Sequence, residues 1–159
     1  MAIVEEINYV KLNEFENQIS GNVKVGGYNM NDISPIKEGR CYKIKFEEKD
    51  INRLFLLGEV TFKDLTSEKN FKLSGLLDTV INIERVKYWI DAKLDLRIST
   101  KWSPVFVSPH IDGPFVTIDG NHRLMAHYNQ HKTIERLNGY LFVHPNIQNW
   151  GFIPIEARK

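Results

Sequence analysis

The sequence predicts a mixed fold of strands and helices, α/β or α+β, in a single domain. Three observations lead to this prediction. The length of 159 residues suits one domain with its own hydrophobic core. The composition, 42% hydrophobic and 26% charged, is typical of globular proteins. Helical and strand-like patterns alternate along the C-terminal half, which is the order expected for a sheet with packed helices.

The N-terminal third carries the less regular patterns. Residues 1–27 fit a strand pair or a helix. The next clear pattern is RCYKIKFEE, in which Tyr42, Ile44 and Phe46 alternate with one cysteine and two lysines. This period of two predicts a half-buried strand. An apolar, β-prone stretch follows, RLFLLGEVTF, in which Gly58 predicts a bulge or a turn.

The middle of the chain contains a helical pattern. In TVINIERVKYWIDAKLDL, Ile83, Val86, Ile90 and Leu94 recur at helical spacing and form one apolar stripe. Asn82 precedes this stripe and is the predicted N-cap of the helix.

Three further strands and a second helix are predicted after it. SPVFVSP is a short strand, HIDGP has the Asp-Gly of a tight hairpin turn, and FVTI is the returning strand. A helix of about ten residues and a strand, LNGYLFVH, complete the order. We predict that Leu124, Met125 and Tyr128 form the core side of this second helix.

The charge and the cysteine content restrict the function. A net charge of +1, from 21 basic and 20 acidic residues, argues against a dedicated nucleic-acid-binding protein. Cys41 is the single cysteine, which excludes a disulfide framework and a cysteine-based zinc site. This composition favours the cytoplasm. The N-terminus does not resemble a signal peptide, and no apolar run has the length of a membrane span, so we expect no membrane insertion.

The stretch IDGNHR lies at the turn between the FVTI strand and the second helix. It contains the residues best suited to bind an anion, transfer a proton or hold a metal ion. Gly120 allows a sharp turn and a close approach of a ligand. The amides that follow it lie at a helix N-terminus, which favours anions. Arg123 suits phosphate oxygens, and His122 can donate to a phosphate or carry a proton. Asp119 can cap the helix, orient its neighbours or hold a metal ion. The same Asp-Gly-Asn also ends strands for conformational reasons alone.

TIDGNHRLMAHY and the order of elements around it resemble the ParB/sulfiredoxin-like superfamily. The resemblance covers roughly Glu59–Val143. Gly120, Arg123 and Ala126 match the Gly-x-x-Arg-x-x-Ala signature, and Asp-Gly-x-His-Arg is similar to the form in members that act as small-molecule kinases. The resemblance implies an α+β fold, a mixed sheet with packed helices. It also implies a ParB/sulfiredoxin-like domain over residues 58–159, with residues 1–57 as an N-terminal extension packed on it in one compact unit.

Two departures from the family exclude its best-known activities. Sulfiredoxins carry a catalytic cysteine where Asn121 stands, so we do not expect thiolate chemistry. ParB partition proteins carry a second arginine where His122 stands and continue into a helix-turn-helix domain. About 16 residues follow Val143 here, so we do not expect partition clamping.

The resemblance implies a nucleoside triphosphate, ATP or CTP with Mg²⁺, held on this turn. The expected activity is hydrolysis of the triphosphate or phosphoryl transfer to a small molecule. The phosphate-binding residues would be Gly120, Asn121, His122 and Arg123, and the catalytic residues Asp119, His122, Arg123 and Glu68.

Two alternatives stay open. The first is a ParB-like nuclease or nucleic-acid-binding protein, which requires a basic surface around Arg123. The second is a non-enzymatic regulatory protein of a mobile element, because a fold does not determine a function.

The remaining polar residues near the motif carry weaker predictions. Asp64 is an alternative to Glu68 as the acid, although acids in such a stretch are more often solvated loop residues. Lys69, Lys72 and Arg97 are candidates to reach the phosphates.

The histidines and tryptophans receive structural predictions. His127 and His131 have the i, i+4 spacing of metal ligands, but without a zinc-protease pattern we predict surface histidines and no metal site. Trp89, Trp102 and Trp150 are predicted to pack against the fold rather than form a platform for bases.

Overall fold

The computed structural model describes residues 1–7, 24–25, 28–29, 39–149, 151 and 153–158. Within these residues it contains strands, two α-helices and several short 3-10 helices. The strands are β1 (Ala2–Ile7), β2 (Lys24–Val25), β3 (Tyr28–Asn29), β4 (Arg40–Lys45), β5 (Leu54–Phe55), β6 (Val105–Ser108), β7 (Phe115–Asp119) and β8 (Asn138–Val143), and the helices are α1 (Glu84–Asp91) and α2 (Asn121–His131).

Six of the strands form one mixed sheet in the order β1-β4-β8-β6-β7-β5. β8 pairs antiparallel with β4 and parallel with β6, and β7 pairs antiparallel with β6 and parallel with β5. Strands β2 and β3 form a separate pair. A mixed sheet packed with helices confirms the predicted α+β class.

The sheet extends across the predicted boundary at residue 57. Strands β1, β4 and β5 precede that boundary, and they pair with each other or with β7 and β8. The N-terminal residues that the structure describes therefore supply strands to the same sheet as the motif.

A cluster of aromatic rings fills the centre of the core. The ring of Phe46 meets the edge of Phe106 at 4.9 Å and that of Phe115 at 5.3 Å between centroids. All three side chains are fully buried, as are those of β6. Burying one such side chain stabilises a fold by roughly 1.5–3 kcal/mol, so this cluster holds the central strands together.

The local predictions agree with the structure around the motif. The strands over 40–45, 105–108, 115–119 and 138–143 and the second helix are all present. Leu124 and Met125 are fully buried and Tyr128 is partly buried. The predicted N-cap of α1 was wrong by one residue. Asn82 ends a preceding 3-10 helix, and Ile83, in an extended conformation, is the N-cap.

The N-terminal predictions are only partly covered. The first residues form β1, which is one of the two structures that the pattern over 1–27 allowed. Residues 8–23, 26–27 and 30–38 lie outside the described residues. Among the described residues, no helix has the length and apolarity that crossing a bilayer requires.

Candidate functional site

The turn between β7 and α2 presents its backbone amides at the start of the helix. Gly120 is the N-cap, with φ +89° and ψ 23°, a left-handed conformation that glycine adopts readily. The first intrahelical bond runs from the Leu124 amide to the Gly120 carbonyl, at 2.8 Å. The three preceding helical amides have no intrahelical acceptor, and no side chain caps them. The helix therefore begins with donors available to an anion.

Asp119 pairs with Arg123 and does not cap the helix, as the sequence had allowed. Nη2 of Arg123 donates to Oδ2 of Asp119 at 3.1 Å, and the guanidinium lies 5.6 Å from the ring centroid of Trp102. A Cβ at Gly120 would lie 2.9 Å from the same Nη2, so the guanidinium lies across the glycine. Arg123 thus lies beside Gly120, where an anionic ligand would approach the backbone amides.

His122 is half-buried and packs edge-on against Phe62, at 5.7 Å between ring centroids. Burial lowers the pKa of His122, and the positive charge of Arg85 on α1 lowers it further. A neutral imidazole at this position can accept a proton near neutral pH. Sequence reasoning missed Arg85 and Phe62, because the packing of their segments against the turn brings them there.

Asn121 has a structural side chain. Its Oδ1 accepts the Leu57 amide at 3.0 Å, and its Nδ2 donates to the Thr117 carbonyl at 3.3 Å. The side chain is buried and ties the segment after β5 to the middle of β7. The part of Asn121 that remains for a phosphate is its backbone amide, which is the group that the phosphate hypothesis requires.

Glu68 is the predicted site residue that the structure does not bring to the turn. It lines an open cavity of about 670 Å³ with Lys72, Gly113 and Pro114, at the start of β7. The turn lies at the other end of β7, whose five residues span about 17 Å at roughly 3.3 Å each. The hydrogen bond that the structure gives for Glu68 is with Nδ2 of Asn70, at 3.3 Å, and not with the turn.

The other charged residues predicted near the turn have contacts of their own. Asp64 and Lys69 form an exposed pair at 3.4 Å. Lys72 lies over the ring of Phe55, 6.0 Å from its centroid. Arg97 lies at the opposite end of α2 from the turn, where its Nη2 is 3.3 Å from Nδ1 of His131. The length of α2 separates Arg97 from the motif, whereas the side-chain contacts that the structure gives for Asp64, Lys69 and Lys72 are with each other or with Phe55.

The prediction of surface histidines was wrong for His127, which is fully buried. Its Nδ1 accepts the Leu96 amide at 3.1 Å, and its ring lies 4.5 Å from that of His131. Burial, with the charge of His131 beside it, lowers the pKa of His127 to about 4. The segment after α1 covers this part of the helix, which the sequence pattern of α2 alone does not reveal.

Asp95 completes a second polar cluster with these two histidines. Each of the three residues offers one metal-ligating atom, and these atoms lie within 4.8 Å of one another. Arg97 donates to both carboxylate oxygens of Asp95, at 2.9 and 2.7 Å. This hydrogen-bonded pair holds the pKa of Asp95 well below its usual range.

The tryptophans pack as predicted where the structure describes them. Trp89 and Trp102 are partly buried, 5.2 Å apart between ring centroids. Trp102 also lies beneath Lys101 and Arg123. Trp150 lies outside the described residues.

Comparisons of the chain with family models, with curated proteins and with solved structures found no match. The ParB/sulfiredoxin-like resemblance therefore stays a prediction from the motif and its flanking elements.

Proposed function

We propose that the protein binds a nucleoside triphosphate, ATP or CTP with Mg²⁺, on the turn between β7 and α2. The observation that carries the proposal is the uncapped first turn of α2, with Arg123 lying across Gly120 beside it. Backbone amides approach phosphate oxygens closely over a glycine, and the guanidinium supplies two further donors. Arg85, near His122, adds positive charge to the same side of the turn.

Nucleotide binding would replace the anion that pairs with Arg123. Arg123 is paired with Asp119 in the ligand-free protein, and a phosphate would take over this arginine. The released carboxylate is then available to Mg²⁺ on the nucleotide, since carboxylates and phosphate oxygens are its usual ligands. Asp119 would thus exchange an arginine for a metal ion when the ligand binds.

The proposed reaction is phosphoryl transfer to the hydroxyl of a small molecule, or to water. The attacking oxygen forms a bond to the γ-phosphorus, and the bond to the bridging oxygen breaks and leaves the nucleoside diphosphate. The proton of the attacking hydroxyl passes to His122, which its environment keeps neutral. Arg123 stabilises the charge on the transferred group. His122 replaces Glu68 as the base in this scheme, because His122 lies at the turn.

Calorimetric titration with ATP, CTP and GTP, with and without Mg²⁺, tests the proposal. We expect Arg123→Ala to weaken binding by roughly tenfold to a hundredfold, the effect of losing a charged hydrogen bond. Arg40→Ala is the matched control, because Arg40 is exposed and pairs with Glu6 on β1. Absence of binding by the wild-type protein, or equal binding by Arg123→Ala, would contradict the proposal.

A second variant tests the exchange itself. Asp119→Asn removes the competitor for Arg123 and the ligand for Mg²⁺. We therefore expect tighter binding of the nucleotide without Mg²⁺ and a smaller effect of added Mg²⁺. If Asp119→Asn weakens binding in both conditions, Asp119 holds the turn in place and does not take part in the exchange.

The second candidate function is binding of single-stranded nucleic acid. A group of aromatic rings beside a cation favours it. Lys101 lies over Trp102, at 4.8 Å from the ring centroid. Tyr88, which packs on Trp89, is 64% exposed. Aromatic rings with adjacent cations suit stacked bases. Binding of oligonucleotides with nanomolar to micromolar affinity, lost in Tyr88→Ala and insensitive to competing ATP, would favour this function over the first.

A further inference from the structure

Three side chains with the chemistry of metal ligands converge at the C-terminal end of α2. His127 and His131 lie one turn apart on the helix, and Asp95 comes from the segment after α1. Two imidazoles and one carboxylate are a ligand set that proteins use for zinc and other transition metals, with a fourth position open to water. The helical spacing and the tertiary fold thus supply a complete set of protein ligands.

The distances in this cluster require a modest contraction. The three ligand atoms lie within 4.8 Å of one another, whereas ligands of a tetrahedral zinc ion lie about 3.4 Å apart, given bonds near 2.1 Å. Asp95 and His131 are partly exposed and can rotate toward an ion. His127 is buried and provides the fixed ligand.

The tautomer of His127 suits metal binding through Nδ1. This nitrogen accepts the Leu96 amide, so in the neutral ring the proton is on Nε2. Nδ1 also faces Asp95, whose Oδ1 is 3.9 Å away. Among the described residues, the buried Nε2 has no well-aligned hydrogen-bond partner, although a weak hydrogen bond with the Thr133 backbone raises the pKa of His127 slightly. A metal ion would compete with the Leu96 amide for the lone pair on Nδ1.

In the metal-free protein, the guanidinium of Arg97 contacts Asp95 and His131, two of the three candidate metal ligands. Its guanidinium donates to both oxygens of Asp95 and lies 3.3 Å from Nδ1 of His131. Its side chain is 35% exposed, so it can swing into solvent. A partly exposed ion pair of this kind contributes about 1 kcal/mol or less, which is small beside the free energy of coordinating a transition metal.

We propose that Asp95, His127 and His131 form a site for a divalent transition metal of the zinc class, from which Arg97 is displaced on binding. The site is separate from the turn at Gly120, and the proposal does not depend on nucleotide binding.

The test is titration of chelator-treated full-length protein with ZnCl₂ by calorimetry and with CoCl₂ by visible absorption. We expect one equivalent to bind, with cobalt bands of a four- or five-coordinate site. His131→Ala and Asp95→Asn should each weaken binding by about a hundredfold or more, because losing a ligand costs more than the roughly tenfold to hundredfold effect of changing a group that only supports one. His110→Ala, at an exposed position, should bind as the wild type does.

Arg97→Ala gives the sharpest prediction, because it removes the competing cation. We expect it to bind metal up to about fivefold more tightly, the equivalent of one surface ion pair. A purely structural cluster would not gain affinity in this variant. Absence of stoichiometric binding by both the wild type and Arg97→Ala would overturn the proposal, as would binding that His131→Ala leaves unchanged. Circular dichroism of each variant confirms that it is folded.

Discussion

The two ends of α2 differ in the kind of polar group that they collect. The N-terminal end gathers donors: uncapped backbone amides, Arg123, and Arg85 near His122. The C-terminal end gathers acceptors, namely Asp95 and the ring nitrogens of His127 and His131. The helix dipole favours an anion at the first turn and a cation at the last, and in this structure Asp119 and Arg97 supply those charges. One helix therefore organises a candidate anion site and a candidate cation site, and three experiments below test this comparison.

The largest effect is expected at the C-terminal end, from acidification. The pKa of His127 is about 4 in the folded protein, against about 6.5 in an unfolded chain. Between these two pH values, His127 is therefore protonated in the unfolded chain and neutral in the folded protein. The stability that His127 contributes is complete above pH 6.5 and is lost as the pH falls toward 4. Two and a half pKa units correspond to a loss of about 3 kcal/mol.

Urea unfolding at a series of pH values, with EDTA present, measures this loss. His127→Asn, which can keep an acceptor for the Leu96 amide, should flatten the profile between pH 6.5 and 4. His110→Asn, at an exposed position, is the matched control and should keep the wild-type slope. Asp95, Arg97 and His131 face the same ring, so a slope that persists in His127→Asn would assign the effect to them.

At the N-terminal end, the largest expected loss of stability comes from Asn121→Ala. This change leaves the buried Leu57 amide without its acceptor, at a cost of about 1–3 kcal/mol. Asn129→Ala is the matched control, because Asn129 lies on the same helix and is only partly buried. Chemical unfolding of both variants measures the difference. Equal effects would mean that the side chain of Asn121 does not hold the turn to the sheet.

Gly120→Ala has the smallest expected effect on stability and a specific effect on binding. A left-handed conformation costs an alanine about 1–2 kcal/mol, and its Cβ would push the guanidinium of Arg123 aside. We therefore expect moderate destabilisation together with loss of nucleotide binding. Gly151→Ala is the control, because a Cβ there meets nothing within 4 Å. Full nucleotide affinity in Gly120→Ala would show that the anion does not bind over this glycine.

Local patterns predicted the elements around the motif correctly. The hairpin β6–β7, the turn at Gly120 and the buried face of α2 follow from alternation, an Asp-Gly pair and helical spacing, all within a few residues. Leu124 and Met125 are in the core for the same reason. The position of the turn and the buried face of α2 could therefore be predicted from the sequence.

The C-terminal end of α2 was only partly predictable: the sequence showed the spacing of His127 and His131, but not Asp95, which comes from a separate segment. Asp95 and Leu96 reach His127 only after α1 packs against α2, and this packing also buries the histidine. Glu68 shows the opposite case. Its place before the motif suggested a partner of the turn, but the chain folds back beside β5, and Glu68 lines the cavity at the start of β7. Neither the packing nor this return of the chain is encoded in short-range spacing.

The central position of β8 has a consequence for synthesis of the chain. β8 is the last strand of the sheet along the chain, yet it joins β4 on one side and β6 on the other. Until this strand leaves the ribosome, the sheet exists only as two unjoined parts with exposed edges. Folding must therefore wait for contacts between residues about a hundred positions apart, such as Tyr42 and Leu141, and such long-range pairing slows folding. The nascent chain is then open to chaperones and to aggregation until β8 has been synthesised.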